Sequence, residues 1–198
     1  MKTIPMIIFL CCFFILTSCF QENPVINDCY SPVLLNVYYP RLIAQKGYVP
    51  GGLCVLGSLA LVNGYIHGTI PGQEDIERQK AWLSHYRPNR YPPYYVDIPD
   101  IFPLARKVFG MRLALHHTNL CALHHELSEG RPVLLLIGGD GMIDIVVLTG
   151  IDLSQNIVII HYPAWGATWQ GTGANVHISV SRFEELWRAT GHRALFVK

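Results

Sequence analysis

The chain has 198 residues and a formal net charge of +1, with 15 Lys and Arg, 14 Asp and Glu, and 9 His. So even a balance removes the basic footprint that nucleic-acid binding requires. With 51% hydrophobic and only 15% charged residues, the chain is also not disordered, and it is long enough for one domain with a real core.

The N-terminus is a targeting segment by pattern. MKTIPMIIFLCCFFILTSCF has a basic Lys2, an apolar stretch from Ile4 to Leu16, then Thr17-Ser18-Cys19. The apolar core is shorter than the ~20 residues a membrane span needs, which is the form of a secretion signal. Leu16-Thr17-Ser18-Cys19 resembles the bacterial lipobox. That resemblance implies cleavage before Cys19, lipidation of Cys19 and attachment to the cell envelope. Phe20 stands where Asp would favour inner-membrane retention, so the expectation leans to the outer membrane. Residues 1–18 are then signal, 19–32 a polar linker and 33–198 the domain.

Of six cysteines, Cys11 and Cys12 leave with the signal and Cys19 carries lipid, so Cys29, Cys54 and Cys121 remain. An odd count in an oxidising compartment suggests one disulfide and one free thiol, and the pairing Cys29–Cys121 would leave Cys54 free.

Further elements follow in chain order. VLLNVYYPRL predicts a first strand ended by Pro40, and AQKGYVPGG a loop. LCVLGSLALVNGYIHG predicts a helix ended by Gly68, because Leu53, Leu56, Leu59, Ala60, Val62 and Tyr65 recur near helical spacing. GQEDIERQKAWLSHY and DIFPLARKVFG are two more helices, separated by the Pro/Tyr-rich RPNRYPPYYVDIP, which reads as a surface crossover. MRLALHH is a short strand. Thr118 is the expected cap of a helix through NLCALHHELSEG, with Gly130 as its stop. RPVLLLIG, DIVVLTGID and NIVIIHYP are β-branched runs that predict the centre of a mostly antiparallel sheet. SVSRFEELWRATG predicts a Ser-capped helix and RALFVK a closing strand. Helices come first and the sheet second, which is an α+β order.

From about Leu35 to the C-terminus this order resembles the papain-like bacteriocin-processing, or double-glycine, peptidases, family thirty-nine of the cysteine peptidases. The pieces that carry the resemblance are LNVYYPRLIAQKGYVPGGLCVLGSLALVNGY, LSEGRPVLLLIGG, DIVVLTGID, NIVIIHYPAWG and FEELWRATGHRALFV. It implies a papain-like α+β fold, a nucleophile at Cys54 and an oxyanion donor at Gln45. A thiol at a helix N-terminus meets the positive end of the helix dipole, which favours the thiolate that attacks a carbonyl. The plainer reading of Cys54 is a buried helix thiol, and of Gln45 a solvated loop amide.

The family's base is a His at the start of the strand that here reads DIVVLTGID, where counting back six from Gly150 reaches Asp144. Its third member is an Asp before a Pro, where this chain has Tyr162 or, after a slip of one residue, His161. Two readings stay open. In one, His161 is the base steered by Asp144 across neighbouring strands, and the chain hydrolyses a peptide or amide bond. In the other the catalytic set is lost, and the fold serves as a module that binds a peptide or protein partner. A one-residue slip reverses a strand side chain, so the choice between His161 and Tyr162 decides the matter.

The chemistry implied needs no cofactor and no metal. A third idea comes from His117, Cys121 and His125, which are spaced to share a helix stripe with His116 and His124 nearby; with no identifiable fourth ligand, a solvated histidine face is the simpler reading. GGDG at 138–141 reads as a tight turn rather than a phosphate cradle, since no helix follows. Trp165, Trp169 and Trp187 read as core or groove walls. The partners implied are a peptide or protein and, through lipid, the membrane; nucleic acid is not among them.

Overall fold

The computed structural model describes residues 28–39, 53–89, 96–139, 142–163 and 173–198. After a 3-10 turn at Asp28–Tyr30 come β1 (Val33–Leu34), α1 (Leu53–His67), α2 (Gln73–Tyr86), α3 (Ile98–Phe109), β2 (Leu113–His117) and α4 (Leu120–Ser128). They are followed by β3 (Val133–Gly139), β4 (Met142–Asp152), β5 (Ile157–His161), β6 (Val176–Ser179), α5 (Val180–Arg188) and β7 (Arg193–Val197). The strands form one sheet ordered β2-β7-β3-β4-β5-β6, with β1 alongside β4 and every pairing antiparallel.

The sheet lies between two helical layers, and this explains the unbroken apolar runs of β3 and β4. Alternate residues of one strand serve opposite layers. Leu134, Leu136, Ile145 and Val147 pack with α1, α2 and α3. Val133, Leu135, Ile137, Val146 and Leu148 pack with Leu123 and Leu127 of α4 and Phe183 and Trp187 of α5. A strand covered on both sides loses the polar alternation of a half-exposed one. α1 is buried on every side from Cys54 to Val62, so its apolar residues form a full cylinder rather than a stripe. Its one buried hydroxyl, on Ser58, donates to the Ile145 carbonyl at 3.0 Å. That bond seats the first turns of α1 on β4.

Several local expectations need correction. The first strand shrinks to Val33–Leu34, and β6 (Val176–Ser179) was not foreseen. The cap of α4 is Asn119, whose side chain accepts from the Ala122 amide at 3.0 Å, not Thr118. RALFVK is the closing strand expected, β7, and it lies inside the sheet between β2 and β3. Asn119 wins because it stands immediately before the first helical residue, where a short acceptor reaches the third amide. The Ser179 cap of α5 is as expected, accepting from Arg182 N at 3.2 Å. Residues 140 and 141 of the proposed tight turn lie outside the described residues, while their flanks Gly139 and Met142 are paired.

Cys29 and Cys121 form a disulfide with Cα atoms 5.2 Å apart, and Cys54 is the free thiol. This fastens the segment before β1 to α4. β1 can then lie close to β4 because residue 150 is Gly: a Cβ there would meet Leu34 Cδ1 at 2.9 Å and the Val33 carbonyl oxygen at 3.0 Å. Gly150→Val is therefore expected to lose about 1–3 kcal/mol through overpacking, with faster hydrogen exchange at the Leu35 amide that bonds Thr149. Equal chemical-denaturation midpoints for the two proteins would contradict this account of the β1 contact.

Candidate functional site

Cys54 is the second residue of α1 and is 7% exposed. Its sulfur sits where α1 meets the beginning of β4. The backbone groups of Ile145 and Val55 hydrogen-bond to it and favour its thiolate, while Asp144 supplies both a hydrogen bond and an adverse charge. Burial is the largest influence and the Asp144 charge the next, and together they push the thiol from 9.0 up to about 12. The helix N-terminus does not compensate, because desolvation and a neighbouring carboxylate both disfavour a second negative charge. A group with a raised folded value contributes its full stability below its unfolded value and loses it as pH climbs through the folded one. The Cys54 contribution is therefore complete below about pH 9 and falls away toward about 12.

Asp144 is the third residue of β4, paired with Ile137 of β3. Its Oδ2 accepts the phenolic hydrogen of Tyr162. The Tyr162 phenol is pushed far above its usual range, first by burial, then by its bond to Asp144 and the charge there. Cys54, Asp144 and Tyr162 thus make one contiguous set, with the carboxylate between a thiol and a phenol.

The expected contact between Asp144 and His161 is not formed. Val147 is the cross-strand partner of His161, three residues along from Asp144. The His161 ring, 1% exposed, takes two backbone partners instead: Nε2 lies 2.7 Å from the Val37 carbonyl, and Nδ1 accepts from Asn175 N at 3.0 Å. The edge of the Tyr39 ring packs against it, 5.1 Å between centroids. Register explains the outcome. Val158 and Ile160 point into the α4–α5 layer, where Tyr162 also packs, so His161 turns the other way. Tyr162 thus takes the place before Pro163 that the family resemblance gives to an Asp, one of the two placements the sequence left open.

Gln45, Cys19, Trp165 and Trp169 lie outside the described residues. Trp187 is fully buried in the core, its Nε1 donating to the Arg193 carbonyl at 3.0 Å. The histidine stripe does not exist as drawn. Cys121 is in the disulfide, His117 belongs to β2 with Nδ1 on the Gly191 carbonyl, and His124 faces Ser31. Among the described residues no group of three His, Cys, Asp or Glu could hold a metal ion, and no helix is long and apolar enough to cross a membrane.

No family model and no curated protein matches this chain. Solved structures do. A Bacillus anthracis chain assigned as a C39-like peptidase superposes with a TM-score of 0.59 at 19% identity, over 85% of this chain and 98% of that one. The peptidase domain of Streptococcus ComA, a bifunctional ABC transporter involved in quorum sensing, superposes at 0.51 with 18% identity, over 77% of this chain and 94% of that one. The likeness at these identities is one of fold. This is a protein with the α+β, papain-like fold of the C39 peptidases.

Proposed function

We propose that this chain is a lipid-anchored protein of the bacterial envelope whose peptidase-fold domain binds an extended peptide or protein partner without cleaving it. One observation carries the reading: the side chain that faces the Cys54 sulfur is the Asp144 carboxylate, itself held by Tyr162. Thiol catalysis needs a group that takes the thiol proton and then, as a cation, stabilises the thiolate. A carboxylate gains no positive charge, so it opposes the ion pair an imidazole would create. The Cys29–Cys121 disulfide supports export, since such bonds persist in oxidising compartments. The lipobox at residues 16–19 supports the anchor, and labelling with a palmitate analogue that disappears in Cys19→Ser tests it.

A second reading, thiol-dependent hydrolysis, draws on the position of Cys54 at the start of α1 with two backbone groups on its sulfur. Iodoacetamide separates the two. The binding module is expected to leave Cys54 unmodified for hours at pH 7, with modification rising only in strong alkali. Fast modification at pH 7, together with peptide hydrolysis lost in Cys54→Ala, would replace the first reading with the second.

A further inference from the structure

Residues 29–39 form a strap across the sheet, and its fastenings differ in kind. Cys29 is bonded to Cys121 of α4. The Ser31 carbonyl lies 2.6 Å from His124 Nε2. Val33 and Leu34 pair with β4, and Leu35 N donates to the Thr149 carbonyl at 2.7 Å. At the far end the Val37 carbonyl meets His161. Burial alternates along the strap: Val33, Leu35, Val37 and Tyr39 turn inward, while Leu34, Asn36 and Tyr38 are exposed. Val37 is 5% exposed and belongs to the same apolar layer as Cys54.

We propose that His161 is a neutral latch for the far end of this strap, and that acidification opens the latch, frees residues 35–39 and lets solvent reach Cys54. The proposal goes beyond the binding reading and holds whether or not Cys54 ever turns over a substrate.

The tautomer follows from geometry. The Asn175 amide can only donate, so Nδ1 accepts and carries no proton. The ring hydrogen is then on Nε2 and is given to the Val37 carbonyl. An imidazolium has hydrogen on both nitrogens and would set one N–H against another at Asn175. That side is held in place. Tyr162 N donates to the Gly173 carbonyl at 2.7 Å, and Gly173, at φ +79°, sits so close that an added Cβ would lie 2.2 Å from the Tyr162 carbonyl oxygen. On the strap side the Tyr39 hydroxyl is buried and, among the described residues, has no hydrogen-bond partner, so fewer polar contacts hold that side of the ring.

The surrounding charges agree. Burial holds the His161 imidazole below its usual value, with the Val37 carbonyl opposing. From the strap the titratable neighbour is Tyr39, which burial keeps neutral far into alkali. From β6, His177 lies on the same face, opposite Ile159. Cys54 shares the layer as a neutral thiol, and the Asp144 carboxylate is engaged between that thiol and the Tyr162 phenol. For the sign, the fastened strap binds fewer protons than the released one. Fastening is therefore complete above the ordinary histidine value of about 6.5 and weakens as pH falls below it. The disulfide does not titrate, so the freed segment remains tethered at Cys29.

The test uses the full chain and 4,4′-dithiodipyridine, a thiol reagent that works in acid. Cys54 modification is followed by peptide mass mapping and expressed relative to the denaturant-unfolded protein at each pH. Protection is expected to drop about tenfold from pH 7.5 to pH 5.0, equal to ~1.4 kcal/mol of opening free energy, with matching hydrogen exchange in residues 35–39 and unchanged far-UV circular dichroism. His161→Gln, whose amide offers one donor and one acceptor and does not titrate, should lose that pH response. Equal protection at the two pH values, or a response retained in His161→Gln, overturns the latch. Should that variant fail to fold, imidazole nitrogen spectra of the wild type decide: a His161 ring still neutral while protection falls overturns it as well.

Discussion

Exchanging Asp144 for His and Tyr162 for Asp in one protein should bring the Cys54 thiol from about 12 down toward neutrality. The thiol now faces a carboxylate, and the carboxylate is held by a phenol. The double variant puts an imidazole against the sulfur and an acid behind the imidazole, on the same two strands. At pH 7 a thiol near 12 is ionised in about one molecule in 10⁵, whereas one near 7 is half ionised. Lower basicity costs some nucleophilicity, so the net gain in iodoacetamide rate is expected to be on the order of a hundredfold rather than the full ratio. Asp144→Asn alone removes the adverse charge but leaves burial, the larger cause, and should shift the thiol only part of the way. Rates in the double variant indistinguishable from wild type would mean that burial alone silences Cys54. The reading of the site as a catalytic set with its base replaced would then fail.

Removing the disulfide is the largest expected loss of stability. Cys29 and Cys121 are 92 residues apart, and in the chain-entropy model closing such a loop is worth roughly 4–5 kcal/mol. For a domain of this size that corresponds to a fall of about 10–15 °C in Tm for Cys29→Ser with Cys121→Ser, read by circular dichroism. The effect should begin locally. The strap loses its covalent end and keeps the β1 pairing and the bonds from His124, Leu35 and His161. Hydrogen exchange in residues 29–39 should therefore rise before the sheet is affected. A Tm within ~2 °C of wild type would show that these polar contacts hold the strap unaided.

Much of the secondary structure was readable because local chemistry decided it. Gly68, Gly110 and Gly130, all at positive φ, end their helices where left-handed backbone is needed. The β-branched runs of 133–139 and 142–152 are strands in either environment. β6 escaped notice because four residues with exposed His177 carry little pattern of their own, and their pairing with β5 makes them a strand. The first strand was overestimated for the opposite reason. VLLNVYY alternates like a strand, yet beyond Leu34 its fastenings are a carbonyl on His161 and an amide on Thr149 rather than a ladder.

By itself the sequence determined that Cys29, Cys54 and Cys121 are the cysteines of the chain beyond residue 28, that helices precede a central sheet, and that Asp144 stands where the family resemblance would seek a base. Those are properties of residue type and order, and composition and spacing express them directly. The tertiary structure alone decided which of two chain neighbours at the end of β5 meets Asp144. His161 and Tyr162 are adjacent in the chain and point to opposite faces. Only the pairing of His161 with Val147 sends the phenol to the carboxylate and the imidazole to the strap. Strand register is a long-range property, set by two packed layers at once, and no local pattern carries it.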